Sequence, residues 1–134
     1  MNRSQYNAFC GSLPHTFRVV QWGGAQVWKV GAAPTGKVFA IALFDGSRDD
    51  GITFKCGPAS FELLKDLPGC RPAPYLASRG MLWIQRCTGE SLEDGDLKKY
   101  LRESHRLAAA NLTLKLRRSL GLEAGVMHRA VAKT

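Results

Sequence analysis

The run Gly31-Ala32-Ala33-Pro34-Thr35-Gly36-Lys37 spells the first seven positions of a phosphate-cradling loop, with glycines that let backbone amides approach a phosphate and a lysine to meet its charge. The eighth position breaks the motif. Val38 stands where a Ser or Thr hydroxyl must reach a magnesium ion, and the chain continues as a strand where that loop needs a helix N-terminus. A Gly/Pro connection between two strands is the expectation. Nucleophilic catalysis needs a Ser or Cys with a base and an acidic orienter, yet His15, His105 and His128 fall after a helix, on a helix and in a tail, each without a local signature. Asp49-Asp50 and Glu93-Asp94 sit in a loop and at a helix start, where solvation and capping account for them. Cys10, Cys56, Cys70 and Cys87 show no C-x-x-C and no zinc spacing, and are read as free thiols. No catalytic residue, metal site or cofactor is therefore assigned.

The basic residues carry more information. Of 134 residues, 19 are Lys or Arg and 11 are Asp or Glu, a formal net charge of +8. Residues 1–97 hold ten basic and nine acidic side chains, so +7 of the +8 lies in the last 37 residues, which include Lys115, Arg117 and Arg118. Cations there can offset a helix dipole, or they can contact phosphates in a salt-dependent, sequence-independent way. No apolar run approaches the roughly 20 residues of a membrane span. The first 20 residues lack a signal-peptide pattern, so a cytoplasmic address is expected.

The elements that would position these charges follow from periodicity. Ser4 is expected to cap a helix with Tyr6, Phe9, Cys10 and Leu13 on one face, ended by Pro14. Phe17–Trp22 and Gln26–Val30 flank Gly23-Gly24 as a hairpin. Val38–Phe44 is apolar on both faces and reads as a central strand, while Ile52–Cys56 alternates like a half-buried one. Pro58 opens a short helix with Phe61, Leu64 and Leu67, and the proline-rich Arg71–Tyr75 is extended or edge-like. A turn at Ser78-Arg79-Gly80 leads into a strand from Met81 to Cys87. A single long helix is expected from about Leu97 to Leu120, with Leu97, Leu101, Ser104, Ala108 and Leu112 on one face, spanning about 30 Å or more. The sum is one α+β domain over 1–120, an antiparallel sheet of about five to six strands with helices on one face. Residues 121–134 form a basic tail expected to be partly disordered.

If Ile52, Phe54 and Cys56 point inward, Thr53 and Lys55 point out, and if Trp28 and Val30 point inward, Lys29 points out. Both lysines then share the face free of helices. Trp22, Trp28, Tyr75 and Trp83 lie near these strands, and aromatics among cations can stack bases, although Trp28 is expected in the core.

The ordered pieces Val27-Trp28-Lys29-Val30-Gly31, Lys37-Val38-Phe39-Ala40, Phe54-Lys55-Cys56, Pro72-Ala73-Pro74-Tyr75 and Ser104-His105-Arg106-Leu107 resemble the MmcQ/YjbR-like family of small bacterial proteins, from about Asn7 to Arg117. The resemblance implies a frataxin-like α+β fold, a double-wing DNA-binding arrangement and ligand contacts at Lys29, Lys37, Lys55, Tyr75 and Arg79. It departs at Met81, where a Trp is usual, and at Asn111-Leu112-Thr113, where Lys-Leu-Pro is usual. Thr113 in place of proline is expected to let the last helix continue. An iron-handling role of the frataxin kind is disfavoured, because residues 1–44 contain no carboxylate.

The expected function is thus a cytoplasmic, non-enzymatic, monomeric protein binding DNA or another nucleic acid through phosphate contacts from hairpins and a basic C-terminal helix. The alternatives are a small-molecule binder or minor enzyme with a pocket near Tyr75 and Arg79, and an adaptor for another protein.

Overall fold

The computed structural model describes residues 1–122, and the expected basic tail lies outside them apart from Gly121 and Leu122. Helix α1 (Arg3–Ser12) leads into strands β1 (Thr16–Gln21), β2 (Ala25–Ala32), β3 (Thr35–Leu43) and β4 (Gly51–Lys55). Helix α2 (Pro58–Leu64), strand β5 (Cys70–Pro72), a 3₁₀ turn at Ala77–Arg79, strand β6 (Trp83–Arg86), helix α3 (Asp94–Ala109) and helix α4 (Leu114–Leu120) complete the chain. All six strands join one antiparallel sheet in the order β1-β2-β3-β4-β6-β5. The expected α+β class and one-sided helix packing hold.

Asn2, not Ser4, caps α1: its side chain accepts from the Gln5 N–H while the Gln5 side chain accepts from the Asn2 N–H, two otherwise orphaned donors satisfied reciprocally. Tyr6 and Cys10 of the expected stripe are fully buried, and the Tyr6 hydroxyl donates to the Gln26 carbonyl 2.9 Å away. Trp28 lies in the core as expected, its indole N–H donating to Asn7 Oδ1 at 2.9 Å. Phe54, Ile84, Leu97 and Leu101 fill the space between sheet and α3.

The expected long helix is two. Helix α3 ends at Ala109, and Thr113 caps α4, its hydroxyl accepting from the Leu116 N–H at 3.2 Å. Thr113 has an extended conformation, φ −61° and ψ 149°, so it starts a helix where it was expected to prolong one. The turn between them buries Leu112, and beyond α4 Leu122 is buried too.

Strand β3 is central, but its pairing contains an irregularity. A bulge between Trp28 and Lys29 shifts the register against β3, so that Trp28 faces Ala40 and Lys29 faces Val38. The extra residue, Phe39, joins Ala40 in the core instead of pointing to the opposite face. On the other side, the β3–β4 ladder stops at Ala40 and Phe54. The next two residues, Phe39 and Lys55, are bridged by α3: the Lys55 N–H donates to Ser104 Oγ at 2.8 Å, and that hydroxyl donates to the Phe39 carbonyl at 2.6 Å. His105, its neighbour, packs edge-on against Phe39 and donates from Nε2 to the Pro14 carbonyl at 2.7 Å, tying α3 to the α1–β1 connection.

The face opposite the helices is less bare than the alternation suggested. Thr53, expected to point to solvent, is buried there with Gln85. The connection from β3 to β4 folds over them, held by Gln85 donating to the Asp49 carbonyl and Arg71 donating to the Arg48 carbonyl. Lys29 and Lys55 lie on this same face, half-buried, further along the strands.

Ser104→Ala leaves the Lys55 N–H and the Phe39 carbonyl without their partner, so a loss of about 1–3 kcal/mol in urea denaturation is expected. A change within about 0.5 kcal/mol, typical of a neutral surface site, would show that the bridge is dispensable. Burial holds the His105 imidazole below its ordinary value of 6.5. Its contribution to stability is therefore complete above pH 6.5 and is lost as pH falls from there toward the lowered folded-state value, because the unfolded chain takes up the proton first. His105→Gln, which keeps a donor for Pro14, should remove this part of the pH dependence in thermal melts across pH 4.5–8.

Candidate nucleic-acid interface

The antiparallel sheet has two ends, and the connections sort between them. At one end the β1–β2 turn lies beside the β3–β4 connection, because Gln26 pairs with Ala42 and Leu43 with Gly51. The start of α3 lies there too, since Arg86, which pairs with Ile52, donates to Asp94 Oδ1 at 2.8 Å. This end holds Asp45, Asp49, Asp50, Glu90, Glu93, Asp94 and Asp96, seven of the eleven acidic residues. At the other end lie the β2–β3 turn, the β5–β6 loop and the α3–α4 link. Gly31 donates to the His15 carbonyl at 2.9 Å, and a Cβ on Gly31 would sit 3.3 Å from Leu112, so β2, the α1–β1 connection and the link to α4 meet.

The two glycines that imitate a phosphate loop have packing reasons. Gly31 has φ 138°, and a Cβ there would come within 2.9 Å of the Thr35 carbonyl. Gly36 lies under the Phe17 ring, whose atoms would be 2.8 Å from an added Cβ. The expected strand-to-strand connection is what this segment forms.

All eight residues singled out from the sequence fall at the second end. Lys29 and Lys55 emerge on the face away from the helices, two strands apart, or about 10 Å by sheet spacing, and Lys55 lies opposite Trp83 in the register. Lys37 is exposed at the start of β3, beside the turn. Tyr75 and Arg79 are exposed on the β5–β6 loop. On α4, Lys115 and Arg118 are exposed and Arg117 is half-buried, its Nε enclosed without a hydrogen-bond partner among the described residues. Arg117 and Arg118 stand in the last turn of α4, where they also offset the helix dipole.

The described cations of α3 have partners of their own. Lys98 and Arg102 lie over the Phe9 ring, 5.7 and 5.1 Å from its centroid, Lys99 pairs with Asp96, and Arg106 pairs with Glu103. Of the four aromatics considered as a stacking surface, Trp28 and Trp83 are buried and Trp22 is exposed on the β1–β2 turn at the acidic end. Only Tyr75 remains at the basic end.

Other chemistry is weakly equipped. Burial pushes the Cys10 thiol up to about 12 and the Cys56 thiol up to about 11, so neither is a thiolate at neutral pH. The Ser47 backbone N–H holds the Asp45 carboxyl below its usual range, a turn contact at 2.9 Å. Sequence reasoning placed Ser104 on the apolar stripe of α3 without a role. A hydroxyl in a stripe of Leu and Ala was itself the signal, since a buried polar group requires partners.

No helix among the described residues is long and apolar enough to cross a membrane. Comparison with known proteins agrees with the topology. A Deinococcus radiodurans protein described by the domain DUF419 is similar in structure at 22% identity, with a TM-score of 0.75 over 90% of this chain and 88% of that one. A Pseudomonas syringae protein is similar at 21% identity, with a TM-score of 0.63 over 81% of this chain and 99% of that one. At such identities the likeness concerns the fold. No curated protein matches the chain. The YjbR family model matches residues 11–107, from the end of α1 through most of α3. The chain belongs to the YjbR family.

Proposed function

We propose that the protein binds nucleic acid, DNA foremost, through phosphate contacts at the basic end of its sheet. The observation that carries this reading is the separation of charge along the strands. Lys29, Lys37, Lys55, Arg79, Lys115, Arg117 and Arg118 gather around the β2–β3 turn, the β5–β6 loop and α4, while most carboxylates crowd the opposite end. A dipolar distribution of this kind steers a polyanion to one end, raising encounter rates and aligning the chain before contact. Among the described residues no paired carboxylate accompanies the cations, and the role we propose is binding. The absence of a membrane-spanning segment among the described residues is compatible with action in the cytoplasm.

The cations rim the end of the sheet from both sides. Lys29 and Lys55 stand on the helix-free face, and Lys115 on α4 stands on the helix side, with Lys37 beside the turn between them. A phosphate backbone crossing the end of the strands meets both groups, which joins the hairpin contacts and the helix contacts in one site.

Fluorescence anisotropy of labelled duplex DNA from 20 to 200 mM salt tests the proposal. Affinity should fall linearly with salt on logarithmic axes, with a slope of roughly 0.9 per phosphate contact. Lys29→Gln with Lys55→Gln, and separately Lys37→Gln with Lys115→Gln, should each lower that slope by about 2. Binding indifferent to salt would overturn the proposal, as would binding absent at 20 mM.

A further inference from the structure

We infer that Tyr75 is a stacking platform for an unpaired base, with Arg79 holding the adjoining phosphate, so that the basic end takes single-stranded nucleic acid in preference to duplex. The inference rests on the phosphate-binding reading above and specifies the ligand of that site.

Tyr75 is 78% exposed, the most exposed large apolar or aromatic side chain among the described residues. Its backbone is left-handed, φ 68°, a conformation that costs a bulky residue about 1–2 kcal/mol and that glycine would adopt freely. Trp22 shares this combination at the other end of the sheet, but only at Tyr75 does it stand among cations, and strain of this kind gathers where a ligand is met. The loop that presents the ring is built by local bonds. Ala77 donates to the Ala73 carbonyl at 3.0 Å, the Ser78 hydroxyl to the Tyr75 carbonyl at 2.6 Å and Arg79 to the Leu76 carbonyl at 3.1 Å. The ring is therefore presented by an ordered turn, which lowers the entropy lost when a base docks on it.

Arg79 closes the 3₁₀ turn four residues after Tyr75 and is exposed. No acidic residue occurs from Leu67 to Gly89, so no carboxylate on the loop or its flanking strands competes with a phosphate. At the root of the loop, Trp83 is 5% exposed, and its indole N–H has no partner among the described residues, leaving a donor unused beside the site. Aromatic ring, guanidinium and absent carboxylates suit a nucleotide whose base face is open. In a duplex those faces are already stacked on one another, whereas a single strand offers them.

The test compares a labelled 12-nucleotide single strand containing one 2-aminopurine with its matched duplex, using the wild-type protein, Tyr75→Ala and Tyr75→Phe. The wild type should bind the single strand more tightly and quench the 2-aminopurine. Tyr75→Ala should weaken single-strand binding by roughly 5- to 150-fold, abolish the quenching and leave both the salt slope and the duplex affinity unchanged. Tyr75→Phe, which keeps the ring, should behave as the wild type. Unchanged single-strand affinity in Tyr75→Ala, or an equal loss on duplex, would overturn the stacking site while the lysine variants still report phosphate contacts. Failure of the wild type to show salt-dependent binding to either form would overturn the phosphate reading and the stacking site together.

Discussion

Where β3 and β4 part, a single hydroxyl takes over from the sheet ladder. Phe39 and Lys55 would be the next directly paired residues after Ala40 and Phe54, and Ser104 Oγ stands between them, accepting from one strand and donating to the other. The bulge against β2 turns Phe39 into the core, and the bridge satisfies the backbone groups which that turn leaves open. Helix α3 is thereby stitched to the middle of the sheet at a defined height. His105, one residue on, fixes the same helix to the α1–β1 connection through Pro14. Lys55 owes its backbone position to this arrangement, and α4 owes its place beside β2 to the point at which α3 ends.

The charge pattern is a consequence of strand direction. In an antiparallel sheet, alternate connections lie at alternate ends, so a chain that keeps its acids in the β3–β4 and β6–α3 connections sends them to one end. The β2–β3 turn, the β5–β6 loop and the α3–α4 link must then fall at the other. Most carboxylates and the cations chosen from the sequence are thereby separated along the strands. The +7 assigned to the last 37 residues becomes a smaller and more focused contribution. Lys98, Lys99, Arg102 and Arg106 have partners along α3 in Phe9, Asp96 and Glu103, while Lys115, Arg117 and Arg118 stand on α4.

Much of the fold was legible from residue type and spacing. Tyr6, Cys10, Trp28, Phe54 and Leu101 are buried at the periods that predicted them. Period-2 and period-3.6 patterns record which face a residue shows to the core, and that record is local. What escaped was non-local. Thr113 was a continuation of a helix by propensity and is a cap in the structure, where the chain turns between α3 and α4 with Leu112 and Leu122 buried on either side of α4. Thr53 alternates like a solvent-facing residue but lies beneath a loop whose path is set by Gln85 and Arg71, on other strands.

By itself, the sequence determined the strands, the short helices, most inward faces and the identity of the cations, since these depend on a residue and its near neighbours. It also carried the family resemblance on which Lys29, Lys37, Lys55, Tyr75 and Arg79 were chosen. Tertiary structure alone decided that these residues and the α4 cations share one end, and that Trp22, Trp28 and Trp83 do not offer rings there while Tyr75 does. The physical reason is that strand order, the bulge at Phe39 and the bridge from Ser104 are choices among pairings of distant segments. Their free energies arise from burial and hydrogen bonds between residues up to 65 positions apart, which no local pattern encodes.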